Sequence, residues 1–469
     1  MRPGRIVEDF GAGTLARGLA PLVAPGGVVE LAIAVSGGAD SAALLSAAVA
    51  LGRAEPRFRI RALHVDHGLV AAAALAGAAA GAADLLGVPL AVLKVQVAAG
   101  DGQSLEAAAR HARQAAFALA LAPDECLVTA HHLEDQAETL LLQLLRGAGP
   151  RGLAAMPAAR PLGHGRLLRP LLAVPRAALR AHAQAAGLPW HEDPMNADSR
   201  FDRGYLRGAL WPAMLARWPG AAVTLARSAA HVAAAQRLLD LDSAERLAAL
   251  GPGPAIPAAA LMALPRQRRM ELLRYWLRSR GLRPPAARRL AGFERELVGA
   301  RPDGTPRIAW EGGELRRFSG LLYAFVPLPP LPFADGAPLP PPPGSVELGA
   351  LGRIAVTSGG PGALDPGPAP DRLTLGARHG GERLRLAANG PERPLKDWLR
   401  EARLPPWARE RAVLVRDPDR LLAVVLPHAT LVAADCRAPP GGRGVTLEWQ
   451  GAPDVLAPPL FVERRLPFG

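Results

Sequence analysis

The chain has 469 residues, two cysteines and a formal net charge of +13, carried almost entirely by arginine. This length predicts roughly two to four domains with enough apolar residues to bury a core. Cys126 and Cys436 lie far apart and outside any Cys-x-x-Cys pair, which excludes a cysteine zinc ribbon or an iron–sulfur motif and argues against a disulfide scaffold. The net positive charge favours a polyanionic partner. The alternative explanation is nucleotide bias, because a GC-rich coding sequence also gives a composition rich in Ala, Gly, Pro and Arg.

No segment is predicted to enter or cross a membrane. The first ten residues, MRPGRIVEDF, include acidic residues and lack the apolar core of a signal peptide. Residues 70–93 are mostly alanine, contain Asp84 and are interrupted by Gly87 and Pro89, a pattern typical of a helix followed by a strand. We therefore expect a cytoplasmic protein with no membrane partner.

Residues 28–172 alternate between strand-like and helix-like segments. Strands are predicted at 28–35, 58–65, 88–97 and 125–130, and helices at 42–51, 104–121 and 132–146. This alternation predicts an α/β fold, a parallel doubly wound sheet with helices on both faces. Ligands of such sheets bind beyond the C-terminal ends of the strands. Three polar segments, SGGADS, HVDHGL and AHHLEDQAET, follow strands at that end, so we expect them to converge on one site.

Composition changes along the chain predict a division into several parts. The sheet domain is followed by a mainly helical middle domain, a Pro/Gly-rich linker that includes PLPPLPFADGAPLPPPPG, a small α+β C-terminal domain and a tail. The expected boundaries are 1–212, 213–326, 327–369, 370–450 and 451–469.

The segment SGGADS, residues 36–41, lies between a predicted buried strand and a predicted helix. Glycines allow the backbone to approach a ligand closely, and free amides at a helix start bind anions. A Walker P-loop is excluded because the two lysines, Lys94 and Lys396, do not follow a glycine. The pattern therefore favours a phosphate cradle of another kind over an ordinary glycine-rich turn.

The next two polar segments are less specific. In HVDHGL, His64 and His67 lie at the end of the second strand, where they can close over a nucleoside or serve as ordinary core and loop residues. In SLEAAARHARQAAF, Arg110 and Arg113 lie at helical spacing. An arginine here can reach a phosphate or a polynucleotide, or it can belong to a solvated face on which Glu106 pairs with Arg110.

The segment TAHHLEDQAETLLLQLLRG is more informative. Its spacing places His131, Asp135 and Glu138 on one helix face, with His132 on an adjacent stripe. So many polar groups at a helix start after a buried strand are costly unless a ligand uses them. Zinc is an alternative for a His/Asp pair, but the HExxH pattern is absent, and we favour magnesium and catalysis.

SGGADS resembles the PP-loop of the N-type ATP pyrophosphatases, which split ATP to AMP and pyrophosphate. Together with HVDHGL, LEAAARHAR and AHHLEDQAETLLLQLLRGAGPRGLAAMP, it resembles, in order and spacing, the tRNA(Ile)-lysidine synthase family. The resemblance continues through residues 167–207 and, more weakly, over 372–435.

The resemblance implies a reaction and its partners. ATP adenylates the C2 oxygen of the wobble cytidine in the CAU anticodon of tRNA(Ile), and the ε-amine of free L-lysine then displaces AMP. The product, lysidine, changes codon specificity from AUG to AUA. The implied partners are tRNA(Ile), free lysine, ATP as co-substrate and Mg²⁺, and a homodimer is compatible with the family.

The resemblance also implies roles for individual residues. The implied catalytic residues are Asp40, Asp135, His131, His132 and Arg113, with Asp40 and Asp135 also as Mg²⁺ ligands. The implied ATP-binding residues are Ser36, Gly37, Gly38, Ala39, Asp40, Ser41, His64, Asp66 and His67. The residues implied for the tRNA and the other substrate are Arg110, Glu138, Asn196, Arg203, Arg207 and Lys396.

Three positions depart from the family pattern: Gln114 replaces a usual tyrosine, and Met195 and Gly204 replace a usual serine and asparagine. We expect these departures to tune local packing. The alternative functions are a PP-loop tRNA thiolase, which typically needs a cysteine pair that this chain lacks, and a PP-loop synthetase for a small metabolite. A nucleotide-binding RNA chaperone without turnover is a third alternative, which the dense polar cluster at the strand ends disfavours.

Overall fold

The computed structural model describes residues 9–68, 72–97, 105–193, 198–251, 253–301, 304–418 and 420–456, with the backbone alone for 105–107. The chain divides into two compact units, Met1–Leu238 and Leu239–Gly469. The finer domain boundaries expected from the sequence stay predictions.

The first unit is built on a six-stranded sheet. Its strands are β1 (Val29–Ala34), β2 (Phe58–Asp66), β3 (Leu90–Lys94), β4 (Cys126–Val128), β5 (Ala159–Leu162) and β6 (Gly165–Leu168). They lie in the order β3-β2-β1-β4-β6-β5, and all neighbours from β3 to β6 are parallel. The predicted doubly wound fold is thus confirmed, and its strand order switches between β1 and β4, where ligands of such sheets bind.

The edge strand β5 differs from the all-parallel sheet that the sequence predicted. It pairs antiparallel with β6, with Leu162 opposite Gly165. Two residues join these strands, and a connection this short links only antiparallel neighbours because a parallel pair needs a long crossover.

Helices cover both faces of this sheet. The helices of this part of the chain are α1 (Ala12–Leu19), α2 (Ala39–Ala54), α3 (Ala72–Leu86), α4 (Leu105–Ala120), α5 (Leu133–Leu145), α6 (Pro150–Leu153), α7 (Arg176–Ala185), α8 (Asp202–Tyr205), α9 (Trp211–Arg217) and α10 (Ala221–Ala249), the last extending into the second unit. A π-helical turn, Leu206–Leu210, joins α8 to α9. Because strand side chains alternate between faces, Leu31 and Ile33 belong to one apolar cluster while Ala32 belongs to another. Among the described residues, no helix combines the length and apolar character needed to span a bilayer.

The second unit begins with helices packed on a small antiparallel sheet. Its first elements are β7 (Ala255–Pro257), α11 (Ala258–Met262), α12 (Arg266–Ser279), α13 (Ala287–Gly299), β8 (Arg307–Trp310), β9 (Gly313–Phe318) and β10 (Leu321–Phe325). The sheet order is β7-β10-β9-β8. Leu273 and Trp276 of α12 and Phe293 of α13 are buried with Leu315 and Leu322 of the sheet, so this region has its own core.

The rest of the second unit is rich in strands. Its elements are β11 (Ala337–Pro338), β12 (Gly344–Glu347), β13 (Arg353–Gly359), β14 (Thr374–Gly376), β15 (Arg383–Leu384), β16 (Arg393–Pro394), α14 (Leu395–Glu401), α15 (Pro406–Arg409), β17 (Val413–Asp417), β18 (Arg420–Leu426), β19 (Ala429–Val432) and β20 (Gly444–Gln450). They form sheets in the orders β11-β14-β17-β18-β19, β12-β13-β20 and β15-β16.

The proline-rich region interpreted as a linker contributes three of these strands. β11 pairs with β14, and β13 lies between β12 and β20. Residues 337–359 are therefore part of the C-terminal sheets, which differs from the extended connector that the composition predicted.

Trp407 connects the two parts of the second unit. It is 1% exposed, and the rings of Phe318, Tyr323 and Phe325 lie 6.1, 5.0 and 5.2 Å from its ring. Its indole N–H donates to the carbonyl of Val455 at 2.8 Å. Strands β9 and β10 thus pack against the C-terminal region through one buried aromatic cluster.

Candidate active site

The SGGADS segment forms a tight loop between β1 and α2. Gly37 has a φ of +85°, and a Cβ there would lie 2.2 Å from the carbonyl oxygen of Leu75, so the position requires glycine. The Ser41 hydroxyl accepts the Ser36 amide at 3.0 Å and donates to the Gly38 carbonyl at 2.9 Å. Gly38 caps α2 and no side chain caps its first amides, which leaves these N–H groups for an anion. The predicted residues 36–41 therefore form one tight loop at the start of α2, and phosphate binding by it stays a prediction.

The residues predicted to close over the nucleoside lie at the C-terminal end of β2 and just after it. The His64 ring bonds to the Val35 carbonyl through Nδ1 at 2.7 Å and is 3% exposed, so it fastens the end of β2 to the start of the loop. Asp66 accepts the amide of Gly68 at 3.0 Å and shapes the turn. Burial lowers the pKa of His67. The contact of these residues with ATP stays a prediction.

The helix after β4 begins later than expected. α5 starts at Leu133 with His132 as its N-cap, so His131 precedes the helix and does not share a helical face with Asp135 and Glu138. The Thr129 hydroxyl bonds to Nδ1 of His131 at 2.8 Å. Burial lowers the pKa of His131 to about 4, against the opposing charge of Asp135, so its imidazole is neutral at pH 7.

His132 lies where the β1 loop meets the β4 helix. Its Nε2 is 3.7 Å from Oδ2 of Asp40 and 3.5 Å from Oδ2 of Asp135, and its Nδ1 bonds to Glu134 at 3.0 Å. Burial on its own would lower the pKa of His132, but the hydrogen bond to Glu134 and the neighbouring carboxylates raise it. The predicted convergence of SGGADS and AHHLEDQAET is therefore present in the fold.

Asp40 carries a carboxylate oxygen with no partner. Its Oδ1 is buried without a hydrogen bond, while Oδ2 lies 3.6 Å from Nε of Arg176. Burial raises the pKa of Asp40, with His132 and Arg176 opposing that effect. A buried unpaired oxygen is costly to stability, and a hard oxygen ligand suits Mg²⁺, so Asp40 fits the metal predicted from the sequence.

Asp135 fits that metal less well because both of its oxygens already have donors. The His132 amide donates to Oδ2 at 3.1 Å, and Arg207 donates to Oδ1 at 3.0 Å. Burial on its own would raise the pKa of Asp135, but the charge of His132 and the other nearby donors lower it. Among the described residues, no group of three His, Cys, Asp or Glu side chains is placed to hold a metal. A Mg²⁺ ion at Asp40 would therefore take its other ligands from phosphate and water.

Glu138 is the centre of a buried ionic cluster on α5. It is 3% exposed and accepts two hydrogen bonds from Arg207, at 2.7 Å from Nε and 2.9 Å from Nη2. Nε of Arg203 lies 3.2 Å from the same carboxylate, and its Nη2 donates to Thr139 at 3.3 Å. The acids of α5 are thus joined to two arginines that α8 and the π-helical turn supply.

Some residues of this region were not predicted. Glu134 accepts the Arg176 amide at 2.9 Å as well as bonding to His132, so it positions the histidine against the loop preceding α7. Gln136 exchanges two hydrogen bonds with the backbone of Met156, at 3.0 and 2.8 Å. An acid in the first turn of a helix is ordinary, so Glu134 gave no distinct signal. Its role depends on Arg176, which lies far along the chain.

Other predicted residues do not belong to the Glu138 cluster. Arg110 and Arg113 are exposed on α4. Lys396 is exposed on α14 in the second unit. Asn196 lies outside the described residues.

The three departures from the family pattern have different outcomes. At Gly204 a Cβ would lie 1.9 Å from the Asp198 carbonyl oxygen, so this backbone approach leaves no room for asparagine. Gln114 is partly buried on α4, and nothing in the structure explains the substitution. Met195 lies outside the described residues.

Comparison with known proteins agrees with this geometry. Three family models match the chain: a PP-loop domain over residues 13–214, a TilS substrate binding domain over 257–323 and a TilS substrate C-terminal domain over 373–449.

Three relatives are each named tRNA(Ile)-lysidine synthase. The protein of Alkalilimnicola ehrlichii is 42% identical, with 88% of this chain and 92% of the relative covered. That of Pseudomonas aeruginosa is 43% identical, with 87% and 92% covered. That of Xanthomonas axonopodis pv. citri is 40% identical, with 93% and 97% covered. Since these identities extend over nearly the whole of both chains, and not over the PP-loop domain alone, this protein belongs to the tRNA(Ile)-lysidine synthase family.

Proposed function

We propose that this protein is an ATP-dependent ligase that forms the carbon–nitrogen bond of lysidine. It adenylates the C2 oxygen of the wobble cytidine in the CAU anticodon of tRNA(Ile) and joins the lysine ε-amine to that carbon, with release of AMP and pyrophosphate. The modified anticodon reads AUA instead of AUG. The observation that carries this proposal is the meeting of the phosphate cradle and the α5 cluster at His132, within 3.7 Å of Asp40 and 3.5 Å of Asp135.

The first step makes a poor leaving group into a good one. The C2 oxygen of cytosine attacks the α-phosphorus of ATP, pyrophosphate leaves, and the oxygen then departs with AMP in the second step. The uncapped amides of α2 bind the phosphates, and Arg176 and His132 add positive charge beside Asp40. Mg²⁺ held by Asp40 would neutralise phosphate charge during this transfer.

The second step needs a free amine. The lysine ε-amine has an ordinary pKa of about 10.4, so it must lose a proton before it attacks C2. Asp135 is ionised and His131 is unprotonated at neutral pH, and both lie at the end of β4. An ionised carboxylate and a neutral imidazole are both able to accept that proton.

Free lysine carries both signs of charge, and the Glu138 cluster does too. Glu138, with Asp135, offers carboxylates to an ammonium group, while Arg203 and Arg207 offer guanidinium groups to a carboxylate. We therefore assign lysine binding to this cluster. Its existing ion pairs keep the buried charges compensated when lysine is absent.

The second unit offers basic surface to the tRNA. A groove between α13 and β8 is lined by Arg288, Arg289, Arg295 and Arg307, and Lys396 is exposed on α14. Phosphate contacts of this kind position a nucleic acid without reading its sequence. The target cytidine lies in an anticodon loop, where leaving the stack costs little.

The proposed reaction and the family lead to expectations about where the protein works and whether it forms a homodimer. A tRNA-modifying ligase that uses ATP and free lysine is expected to work in the cytoplasm, where these substrates are. The homodimer that the family resemblance implied stays a prediction, which sedimentation equilibrium of the purified protein checks.

The test is lysine incorporation by the purified protein. The protein is mixed with Mg²⁺, ATP, labelled lysine and a CAU-anticodon tRNA(Ile) transcript, with a methionine tRNA of the same anticodon as control. We expect label only in tRNA(Ile), with AMP and pyrophosphate released in equal amounts. ATP turnover with tRNA but without lysine incorporation would reopen the choice of nucleophile, and no turnover with any tRNA would contradict the proposal.

The PP-loop thiolase is the alternative with the most similar first step. Such enzymes typically use a cysteine pair, whereas Cys126 and Cys436 are buried and lie in different units. The small-metabolite synthetase leaves the two substrate domains of the second unit without a role. Neither alternative is favoured.

A further inference from the structure

Three arginines lie together at the β6 side of the site. Arg169 directly follows β6, and Arg160 lies on β5 opposite Leu167, so both are near the C-terminal end of β6. The amide of Thr129 donates to the Leu168 carbonyl at 3.1 Å, and the Thr129 hydroxyl bonds to His131. The arginine pair is therefore joined to the catalytic region through adjacent strand ends.

Arg110 of α4 is the third member. The helix α4 packs against β5, and Phe117 of α4 shares a buried apolar cluster with Leu167 of β6, so α4 lies beside these two strands. The positive charge of Arg110 also lowers the pKa of Arg160 and of Arg169. We call Arg110, Arg160 and Arg169 the β6 arginine cluster.

Arg169 is a buried cation without a counter-ion. The residue is 5% exposed, one guanidinium nitrogen donates to the Pro157 carbonyl at 2.8 Å, and Nε is buried with no partner. Burial and the charges of Arg160 and Arg110 lower the pKa of Arg169 to about 10, so it stays protonated at neutral pH.

The contrast with the neighbouring ionic cluster is clear. Arg203 and Arg207 share the carboxylate of Glu138, whereas no carboxylate in the described part of the chain lies within 4.0 Å of a nitrogen of the β6 arginine cluster. Three cations of which one is buried need an anion to compensate them.

The position of the β6 arginine cluster indicates which anion it binds. Along the sheet, β4 separates β6 from β1, and neighbouring strands lie about 4.8 Å apart, so the end of β6 is roughly 10 Å from the phosphate cradle. An anion there is distinct from the phosphates that residues 36–41 hold. The free lysine is better matched by the Glu138 cluster, which has both signs of charge. Arg110 is exposed, so the cluster opens to the surface, as a polymer requires.

We propose that Arg110, Arg160 and Arg169 form a binding subsite for a backbone phosphodiester of the RNA substrate, beside the nucleotide whose base is adenylated. This inference rests on the proposed function and adds Arg160 and Arg169 to the substrate-binding residues. Guanidinium groups bind phosphate oxygens through paired N–H donors, and the buried Arg169 fixes the phosphate next to His131. The subsite holds the anticodon loop while its cytidine enters the pocket.

The experiment compares the double variant Arg110→Gln/Arg160→Gln with the control Arg166→Gln. Arg166 is an exposed arginine of β6 itself, three residues before Arg169. Arg169→Lys, which keeps the charge and loses the paired donors, is measured as a third variant. Binding of the tRNA(Ile) transcript is measured over a range of salt, together with the KM values for tRNA, lysine and ATP.

For the double variant we expect a KM for tRNA at least roughly tenfold higher and a slope of log Kd against log salt smaller by about 1, as for the loss of one phosphate contact. The KM values for lysine and ATP stay unchanged, and the control behaves as the unaltered protein. An unchanged tRNA affinity and salt slope, or an increase confined to the KM of lysine or of ATP, would overturn the subsite.

Failure of the proposed function is recognised separately. If the unaltered protein incorporates no lysine into tRNA(Ile), the function is wrong. If it does, and the double variant binds the transcript with the same salt dependence, only the subsite is wrong.

Discussion

Arginines are abundant in both units, but they are used differently. In the second unit, Arg409 donates to the Leu404 carbonyl at 2.6 Å, and Arg411 donates to the carbonyls of Trp407 and Pro329 at 3.0 Å. Arg269 of the second unit also has a buried Nε without an acceptor, but its Nη1 lies 3.0 Å from the carboxylate of Glu294. Arg169 of the first unit has a buried Nε without an acceptor, and no carboxylate among the described residues pairs with its guanidinium. Positive charge therefore does not by itself identify a substrate contact, and a buried arginine without a carboxylate partner is the stronger candidate for an anion.

Buried carboxylates repeat this contrast. Glu314 of the second unit is 3% exposed and paired with Arg307 and Arg316, so its charge is compensated within the fold. Glu382 of the second unit has one buried oxygen without a hydrogen bond, but its other oxygen accepts the amides of His379 and Gly380 at 2.7 and 2.8 Å. Asp40 of the first unit has one buried oxygen without a hydrogen bond, and its other oxygen has only His132 and Arg176 near it, at 3.7 and 3.6 Å. Of these carboxylates, Asp40 has the fewest donors, which supports a ligand there.

The largest expected effect is on catalysis at Asp40. Asp40→Asn removes the charge that is available to Mg²⁺, so the rate of pyrophosphate release with tRNA(Ile) should fall roughly a hundredfold or more. Stability should not fall, since the variant removes a poorly compensated buried charge. Glu314→Gln is the matched control. We expect this variant to have a lower free energy of unfolding and an unchanged single-turnover rate on bound tRNA. If Asp40→Asn released pyrophosphate at the rate of the unaltered protein, the contrast between Asp40 and the paired Glu314 would have no functional meaning.

The next effect is on the core of the second unit. Trp407→Ala removes a buried ring with three aromatic neighbours and should lower the free energy of unfolding of that unit by roughly 3–5 kcal/mol. Urea unfolding measures the change. Val326→Ala, at a residue of the same unit that is 61% exposed, should change it by less than about 0.5 kcal/mol. Equal effects of the two variants would show that Trp407 does not join the parts of this unit.

A smaller effect is expected at Gly204, which separates the two arginines of the Glu138 cluster. Gly204→Ala places a Cβ against the Asp198 carbonyl, so the backbone must shift, at a cost of roughly 1–3 kcal/mol. Because Arg203 and Arg207 move with it, the KM for lysine should rise. Gly208→Ala is the control, since a Cβ there meets no atom within 4 Å. The thermal unfolding midpoint and the KM for lysine are measured on both variants. If the two variants give the same values, the close approach of Gly204 to Asp198 does not position the two arginines.

The smallest effect concerns pH and His131. Its pKa of about 4 lies below the ordinary 6.5, so the unfolded chain binds a proton between these values that the folded chain does not. This group therefore makes stability fall as the pH decreases from 7 to 5. His131→Asn should lose roughly 2 kcal/mol less over that interval than the unaltered protein, as measured by urea unfolding at both pH values. Equal losses would show that His131 is not buried as a neutral imidazole.

Much of the first unit could be predicted from the sequence because its signals are local. The alternation of apolar runs gave the parallel sheet, and a glycine-rich turn between a strand and a helix gave the phosphate cradle. The antiparallel β5 was not foreseen, because a four-residue strand with Pro161 carries little signal of its own.

Long-range pairing explains what could not be predicted. Asp135 and Glu138 follow from helical spacing, but their contact with Arg207 joins positions 72 and 69 residues apart. The strands within 337–359 depend on partners such as β14 and β20, so composition alone suggested a linker. Arg169 resembled any other arginine until its burial was known.

The most direct test of the account separates the two halves of the reaction. Glu138→Gln should still release pyrophosphate with tRNA(Ile), since the phosphate cradle is intact, while lysine incorporation falls at least roughly tenfold and recovers at high lysine. Asp40→Asn should lose both activities. If Glu138→Gln, assayed at a temperature where it is still folded, loses pyrophosphate release as completely as lysine incorporation, the division of the site into an adenylating half and a lysine-binding half is wrong.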